Sequence, residues 1–430
     1  MNNKNFKRYF QFLLIVLAAG AIYPIIYLKT NYQVTLLEVF NMSLPQLNSI
    51  YSVLGIVWVI GYFPSGLIAD KFSAKWLIAI SLFGTAAGGF WFAQIPSSSN
   101  VAIIYGIWGI FSVFTFWSAH MKLVKLLASK EEEGRFFGIL DGGRGVVEAL
   151  LASFALYIFT KVLGSSTNLV DKRTAMVSII YMYSIVIFVM ALLVTIFVED
   201  DKKAGVQSNA EAAPKQKVKI SDFAGVFKNK YVYIMGGIIF LSYAVYWTVY
   251  YLGGFLQTNA GVDAAPVAAV MVVVLWMRPV GGIIGGFLAD KFGKGRTLTV
   301  ALLGAAVCLI LISSLSVAMI GKSGFYVLIV VTGIFLYAIR GTYWSLLGDT
   351  KIDISIVGAA IGFISFVGYL PDIVLPKFNT FLFNTFGGNG GYNAYFIASA
   401  VMGIIGIVLV KVFTTLNKKE KVNIENNLSS

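Results

Sequence analysis

The chain has 430 residues, of which 58% are hydrophobic and only 12% charged. A soluble protein carries about 25% charged residues, so the soluble enzyme classes are excluded. The formal charge is +13, yet the basic residues fall mainly in short segments between apolar runs, which argues against a nucleic-acid surface and fits the positive-inside pattern of a membrane protein.

Apolar runs of around 20 residues, the length that crosses a bilayer as a helix, recur from end to end. They predict helices near 9–28, 46–69, 76–96, 101–126, 136–160 and 174–197, and then near 230–256, 264–289, 298–318, 323–348, 354–382 and 391–415. The expected fold class is an all-α membrane protein of about twelve transmembrane helices in two pseudo-symmetric six-helix halves. The expected boundaries are 1–198 for the first half, 199–228 for a cytoplasmic linker, 229–416 for the second half and 417–430 for a cytoplasmic tail. Lys4, Lys7 and Arg8 before the first run mimic a signal peptide, but the run continues through Tyr23 to Leu28, so an uncleaved first helix is expected.

An even number of spans puts both termini on one side. That side gathers Lys71, Lys75, Lys122, Lys125, Lys130, Arg135, Lys291, Lys294, Arg296 and the Lys418-Lys419-Lys421 tail, and is expected to be cytoplasmic. The opposite loops carry little beyond Lys29, Glu38, Asp171, Lys172, Arg173, Asp263 and Lys322. The linker is polar, with Gly205, Ser208 and Pro214, and reads as a flexible tether. Within it, Ile220 to Phe227 is expected to form a short interfacial helix, and the tail after Lys418 reads as disordered.

One stretch occurs twice. Gly66-Leu67-Ile68-Ala69-Asp70-Lys71-Phe72 returns as Gly286-Phe287-Leu288-Ala289-Asp290-Lys291-Phe292, an offset of 220 residues (286 − 66, 290 − 70). Each copy closes one apolar run and leads into the next, and a repeat of half the chain means two similar halves. Asp70 and Asp290 stand at helix C-termini, where the dipole disfavours a carboxylate, so each is expected to have a specific partner. Gly66 and Ala69 are expected to let helices approach closely.

Ionisable residues inside spans are costly and point to function. Asp141, Arg144 and Glu148 of the fifth span are spaced to share one helix face, with Gly142, Gly143 and Gly145 beside them. The trio reads either as a neutralised packing cluster or as an arginine that meets substrate while an acid is protonated. Arg278, before Pro279, and Arg340, before Gly341, offer the forked donor set that suits an anion; the alternative is snorkelling to the surface. The same offset places the single histidine, His120, opposite Arg340. Asp372 and Lys377 read as an exposed outer rim. One histidine and one cysteine (Cys308) leave no multi-histidine metal site and no internal disulfide, and no metal or cofactor is expected.

The repeated Gly-x-x-x-Asp-(Lys/Arg)-x-(Gly/Ser) stretch resembles the loop signature of the major facilitator superfamily. The second copy, with Gly293, Lys294 and Arg296, fits closely, while the first has Ser73 and Ala74 in place of glycine and a basic residue. The fifth-span pattern Asp141-x-Gly143-Arg144-Gly145-x-x-Glu148 looks like the YihN-like bacterial branch, near the organophosphate and nitrate/nitrite porter families. The second-span arginine of nitrate porters, the fifth-span histidine motif of organophosphate antiporters and the proline-rich fifth span of drug/proton antiporters are absent from the sequence.

The resemblance implies a conformational latch at Gly66, Asp70, Lys71, Gly286, Asp290, Lys291 and Arg296. It also implies a cavity lined by the first and seventh spans, where Tyr23 and Tyr27 map by offset to Tyr243 and Trp247. Substrate contacts are therefore expected from Arg144, Arg278, Arg340, Tyr23, Tyr27, Tyr243 and Trp247, with Glu148 or Asp141 carrying a proton. The expected function is a secondary transporter of a small organic anion, working by alternating access in a bacterial inner membrane as a monomer, coupled to protons. An anion exchanger, a drug/proton efflux carrier and a transporter-like ligand sensor are the competing readings. No Gly-x-x-x-x-Gly-Lys-Ser/Thr phosphate loop occurs in the sequence, which argues against ATP hydrolysis.

Overall fold

A computed structural model describes residues 3–128, 133–201, 229–350 and 357–429. The predicted interfacial helix at Ile220 to Phe227 and most of the linker lie outside the described residues. The described residues form α1 (Asn3–Ala21), α2 (Lys29–Val39), α3 (Leu44–Lys71), α4 (Ala74–Phe92), α5 (Ser98–Gly109), α6 (Trp117–Leu127), α7 (Glu133–Leu163) and α8 (Leu169–Phe197). They continue with α9 (Lys230–Tyr246), α10 (Val249–Thr258), α11 (Ala264–Phe292), α12 (Lys294–Ser314), α13 (Val317–Thr342), α14 (Val357–Gly368) and α15 (Pro371–Ser429). The protein is an all-α membrane protein. Among the described residues ten runs are long and apolar enough to cross a bilayer. The last of these, Phe363–Lys418, turns at Gly387, where φ is +73°. The first predicted span is not among the ten: it is helical in α1 only to Ala21, and residues 22–28 are bends and turns.

Helix ends follow local chemistry. Ser43 caps α3 in a capping box with Gln46, whose Oε1 accepts from the Ser43 amide at 2.8 Å. Asn168 caps α8, its side chain accepting from the Asp171 amide at 2.8 Å. Gly293, at φ +93°, makes the turn between α11 and α12, a conformation that costs glycine little.

Several spans are interrupted. Residues 22–28 separate α1 from α2, a π-helical segment Ile110–Thr115 separates α5 from α6, and Trp247 and Thr248 separate α9 from α10. A 3-10 segment, Tyr343–Asp349, ends α13, and Tyr369 and Leu370 separate α14 from α15. Such breaks within membrane spans recur at substrate and ion sites.

Two expectations are corrected here. Lys29 is not in an outer loop: it opens α2 fully buried, its Nζ 3.7 Å from the centre of the Tyr51 ring. Packing inside the bundle overrides the loop position its charge suggested. The tail beyond Lys418 is helical to Ser429, a continuation of α15; a run that leaves the apolar span as a helix need not nucleate a new one.

Two compact units emerge from the contacts, Met1–Ala212 with Gly261–Trp276, and Ala213–Ala260 with Met277–Ser430. In the first, α1 packs on α7 and α8, and α4 on α8. In the second, α12 packs on α13 and α15, and α9 on α14 and α15. Large apolar side chains such as Phe287, Val170 and Ile196 are exposed, as expected of surfaces that face lipid tails.

The charged end of the first unit is tied together by Asp201, whose side chain is almost fully buried. Its Oδ1 accepts from the Ala74 amide at 2.8 Å and the Ser73 hydroxyl at 3.0 Å, so it caps α4 from a distant position in the chain. Its Oδ2 pairs with Lys122 Nζ at 2.8 Å, and Lys122 also donates to the Ala69 carbonyl at 2.9 Å, where α3 ends. Nearby, Lys7 donates to Glu199, which holds that carboxyl below its ordinary range. Asp201→Ala is expected to lower stability by about 1–2 kcal/mol, and Asp201→Asn by less, because the amide oxygen still caps α4. Thermal unfolding in detergent measures both; equal losses would discount the cap.

Candidate functional site

In each unit a span arginine is seated on aromatic rings, Arg144 in the first and Arg340 in the second. In the first unit α1 and α7 meet closely: a Cβ on Gly20 would lie 2.5 Å from Val147, and one on Gly143 2.6 Å from Val16. That approach brings Arg144 over Tyr23, with Cζ 4.9 Å from the ring centre, and 6.0 Å from the Trp117 ring. Glu148, one turn on, pairs with Arg144 at 3.7 Å. This is longer than the 2.7–2.9 Å typical of a charge-assisted hydrogen bond. Arg144 Nε is buried with no hydrogen-bond partner among the described residues.

The π-helical segment organises the far side of Tyr23. The Tyr23 hydroxyl donates to the Ser112 carbonyl at 3.2 Å, and Trp58 Nε1 donates to the Ser112 hydroxyl at 2.8 Å. Tyr27 is half-buried, its ring 5.9 Å from that of Trp58. His120 is fully buried and stacked on Phe116 at 4.8 Å. Its Nδ1 donates to the Phe116 carbonyl at 3.1 Å, and its buried Nε2 has no hydrogen-bond partner among the described residues.

In the second unit Arg340 Cζ lies 4.9 Å from the Tyr246 ring centre and 5.7 Å from that of Tyr243. Its Nη1 is buried with no hydrogen-bond partner among the described residues. Among the described residues no carboxylate stands within ion-pair distance of Arg340. Asp372 is buried beside this cluster, accepting on Oδ1 from the Tyr243 hydroxyl at 2.8 Å and from Trp247 Nε1 at 2.9 Å. Trp344 Nε1 donates to the Tyr369 hydroxyl at 3.0 Å, and the Tyr369 ring meets that of Tyr243 edge-on at 5.0 Å.

The structure therefore brings Tyr23, Arg144 and Glu148 together in one unit, and Tyr243, Trp247 and Arg340 in the other. Arg278 stands half-buried on α11, just before Pro279. Asp141 is a correction: it is exposed, and Arg144 pairs with Glu148 and not with it. Residues three apart on a helix are neighbours, but Arg144 turns instead onto the rings of Tyr23, just after α1, and Trp117 of α6. Asp372 is a second correction, since it is a buried acceptor and not a rim residue; the break before Pro371 turns it inward.

At the repeated loops, Lys71, Asp290, Lys291 and Arg296 are exposed, and the side chain of Asp70 lies outside the described residues. A Cβ on Gly66 or Gly286 would meet nothing within 4 Å. The expected close helix approach at Gly66 is thus not seen among the described residues, while Gly20 and Gly143, unremarked as a pair, make one.

The chain belongs to the Major Facilitator Superfamily, whose family model matches residues 9–376. That membership makes it a transporter and not an enzyme. It is 26% identical to inner membrane protein YqcE of Escherichia coli (strain K12), over 97% of this chain and 96% of that one. It is 25% identical to inner membrane protein YihN of the same organism, over 96% and 97%. A protein of Bacillus subtilis (strain 168) named "Probable galactarate/D-glucarate transporter GudP" is 23% identical, over 84% of this chain and 82% of that one. Among solved structures, a D-xylose-proton symporter superposes with a TM-score of 0.71 at 14% identity, covering 94% of this chain and 97% of the other, which shows the fold.

Because Val16 Cγ1 is the atom a Cβ on Gly143 would strike, Gly143→Ala is expected to cost about 1–3 kcal/mol of stability. Val16→Ala in the same chain is expected to recover most of that loss. Thermal unfolding of the two single variants and the double variant checks it; additive losses would show that the close approach is not what binds α1 to α7.

Proposed function

We propose that the protein is a secondary transporter of a small organic anion, coupled to protons and working by alternating access in a bacterial inner membrane, with both termini cytoplasmic. The observation that carries this reading is Arg340, a buried guanidinium on two tyrosine rings with a donor left over. A cation inside a membrane protein costs about 2.5 kcal/mol or more, and a site that keeps one with spare donors suits an anion. Arginine matches a carboxylate in bidentate fashion. The relative named for galactarate and D-glucarate, both dicarboxylates, supports the same class. Tyr23, Tyr27, Tyr243 and Trp247 supply aromatic faces, and Arg278 adds a further donor set.

Glu148 is the proton carrier of the first unit. Its loose pairing with Arg144 allows an incoming anion to take the arginine while the acid accepts a proton. Two measurements in one set of proteoliposomes, with D-glucarate as probe, test the scheme: uptake driven by a proton gradient, and counterflow without one. Arg340→Lys is expected to weaken both at least tenfold, because the charge stays but the fork is lost. Glu148→Gln is expected to abolish accumulation and to keep counterflow, since exchange moves no net proton. Equal loss of both in Glu148→Gln would make that residue structural or binding.

The repeated loops act as the conformational latch, with Gly66, Asp70 and Lys71 in one and Gly286, Asp290, Lys291 and Arg296 in the other. Asp290→Asn is expected to slow turnover several-fold while the concentration of D-glucarate at half-maximal uptake stays the same. A weakened half-saturation with unchanged turnover would remove the latch.

A further inference from the structure

Asp372 is buried inside the second unit, the proton scheme does not use it, and its surroundings are specific. It lies in the first turn of α15, immediately after the break at Tyr369 and Leu370. A carboxylate there is favoured by the helix dipole. Two hydrogen bonds to its Oδ1 come from around another break: Tyr243 is in the last turn of α9, and Trp247 is the first residue of the interruption before α10. One carboxylate oxygen thus pins the interrupted α9–α10 span to the interrupted α14–α15 span. Tyr243 is shared, because its ring also carries the Arg340 guanidinium. The charged and titratable groups of this cluster among the described residues include Tyr243, Tyr246, Tyr250, Arg340, Tyr343 and Tyr369.

The internal repeat gives a second, independent reason to compare this acid with Glu148. The 220-residue offset carries Glu148 to position 368, four residues before Asp372 and just across the break at Tyr369 and Leu370. Each unit therefore holds one buried acid on its fifth span, one arginine, and one tyrosine on its first span that touches the arginine. In the first unit acid and arginine meet directly. In the second, Tyr243 stands between them.

We infer that Asp372 is a proton-binding site of the second unit, which pins the breaks in α9–α10 and α14–α15 when ionised and releases them when protonated. This rests on the proton-coupled reading above and adds a second acid to it. The chemistry is one step: a proton from water forms an O–H bond on the carboxyl and neutralises it. The bonds from Tyr243 and Trp247 then lose their charge assistance, and a neutral hydrogen bond is roughly half as strong as one to an ionised acceptor. Tyr243, one of the two tyrosines that seat Arg340, is loosened in the same step, so proton uptake at Asp372 reaches the anion-binding guanidinium without a direct ion pair.

The test is infrared difference spectroscopy of the full-length protein in liposomes as the pH is lowered, with no transported ligand. The expected result is a carboxylic C=O band that grows on acidification, is lost in Asp372→Asn and is kept in Glu148→Gln. Tyr243→Phe and Trp247→Phe each leave the acid in place with one donor fewer, and each is expected to keep the band and shift its frequency. These two variants decide the matter if Asp372→Asn does not fold. A band that survives Asp372→Asn unchanged, or that neither donor variant moves, overturns the inference. In proteoliposomes, Asp372→Asn is expected to lose proton-driven accumulation of D-glucarate. If the unmodified protein moves no D-glucarate at all, the transport reading fails for that probe, while the infrared band still decides for Asp372.

Discussion

The structure depends on how a guanidinium is held inside a membrane protein. An arginine at the centre of a span costs about 2.5–3.5 kcal/mol by insertion measurements, and more by other accounts. A desolvated cation over an aromatic ring recovers about 2 kcal/mol or more. Arg340, with two tyrosine rings against it, is thus close to balanced without a carboxylate at ion-pair distance. Arg144 has Tyr23 at 4.9 Å, a more distant Trp117 ring, and Glu148 in addition. The aromatic residues of the first spans are therefore not simple interface anchors. They are what allows the charges to sit where they do.

The same aromatic residues also repair the backbone. Interrupting a helix in lipid frees carbonyls that have no water to bond. The Tyr51 hydroxyl donates to the Ile26 carbonyl within the α1–α2 interruption, and the Tyr23 hydroxyl to the Ser112 carbonyl in the π-helical segment. Breaks and tyrosines are thus two parts of one solution: the break creates an acceptor, and a tyrosine from a neighbouring span satisfies it while offering its ring to a cation. In the second unit Asp372 adds an acceptor for Trp247 at the break.

Much of the fold was legible because membrane spans announce themselves by length and apolarity. The repeat of Gly66 and Asp70 at Gly286 and Asp290 marked the two halves, and the same offset paired Tyr23 with Tyr243. What was not legible has a common cause: hydropathy reads a span as a continuous rod. Lys29 and Asp372 sit beside interruptions, so counting residues from a span's end assigned both to surfaces when both are buried. Asp141 erred the other way, since sharing a helix face does not tell which way a long arginine side chain will turn. The close approach of α1 and α7 at Gly143 and Gly20 could be recognised only once Val16 and Val147 were seen against them.

The internal repeat, regular in sequence offset, is broken in chemistry. The offset that equates Tyr23 with Tyr243 also equates His120 with Arg340, so the two arginines come from different spans of their units. In the first unit the histidine takes the position at the end of the fourth span, and the arginine comes from the fifth, one turn from its acid. An anion that reaches Arg144 must then compete with Glu148 for the same guanidinium. An anion that reaches Arg340 displaces no carboxylate at ion-pair distance among the described residues, and is linked to Asp372 through Tyr243. On the proposed function, the first unit ties binding to protonation by competition for a charge, and the second ties them through a shared ring. Two halves descended from one repeat would in this way supply two different couplings, which identical halves would not.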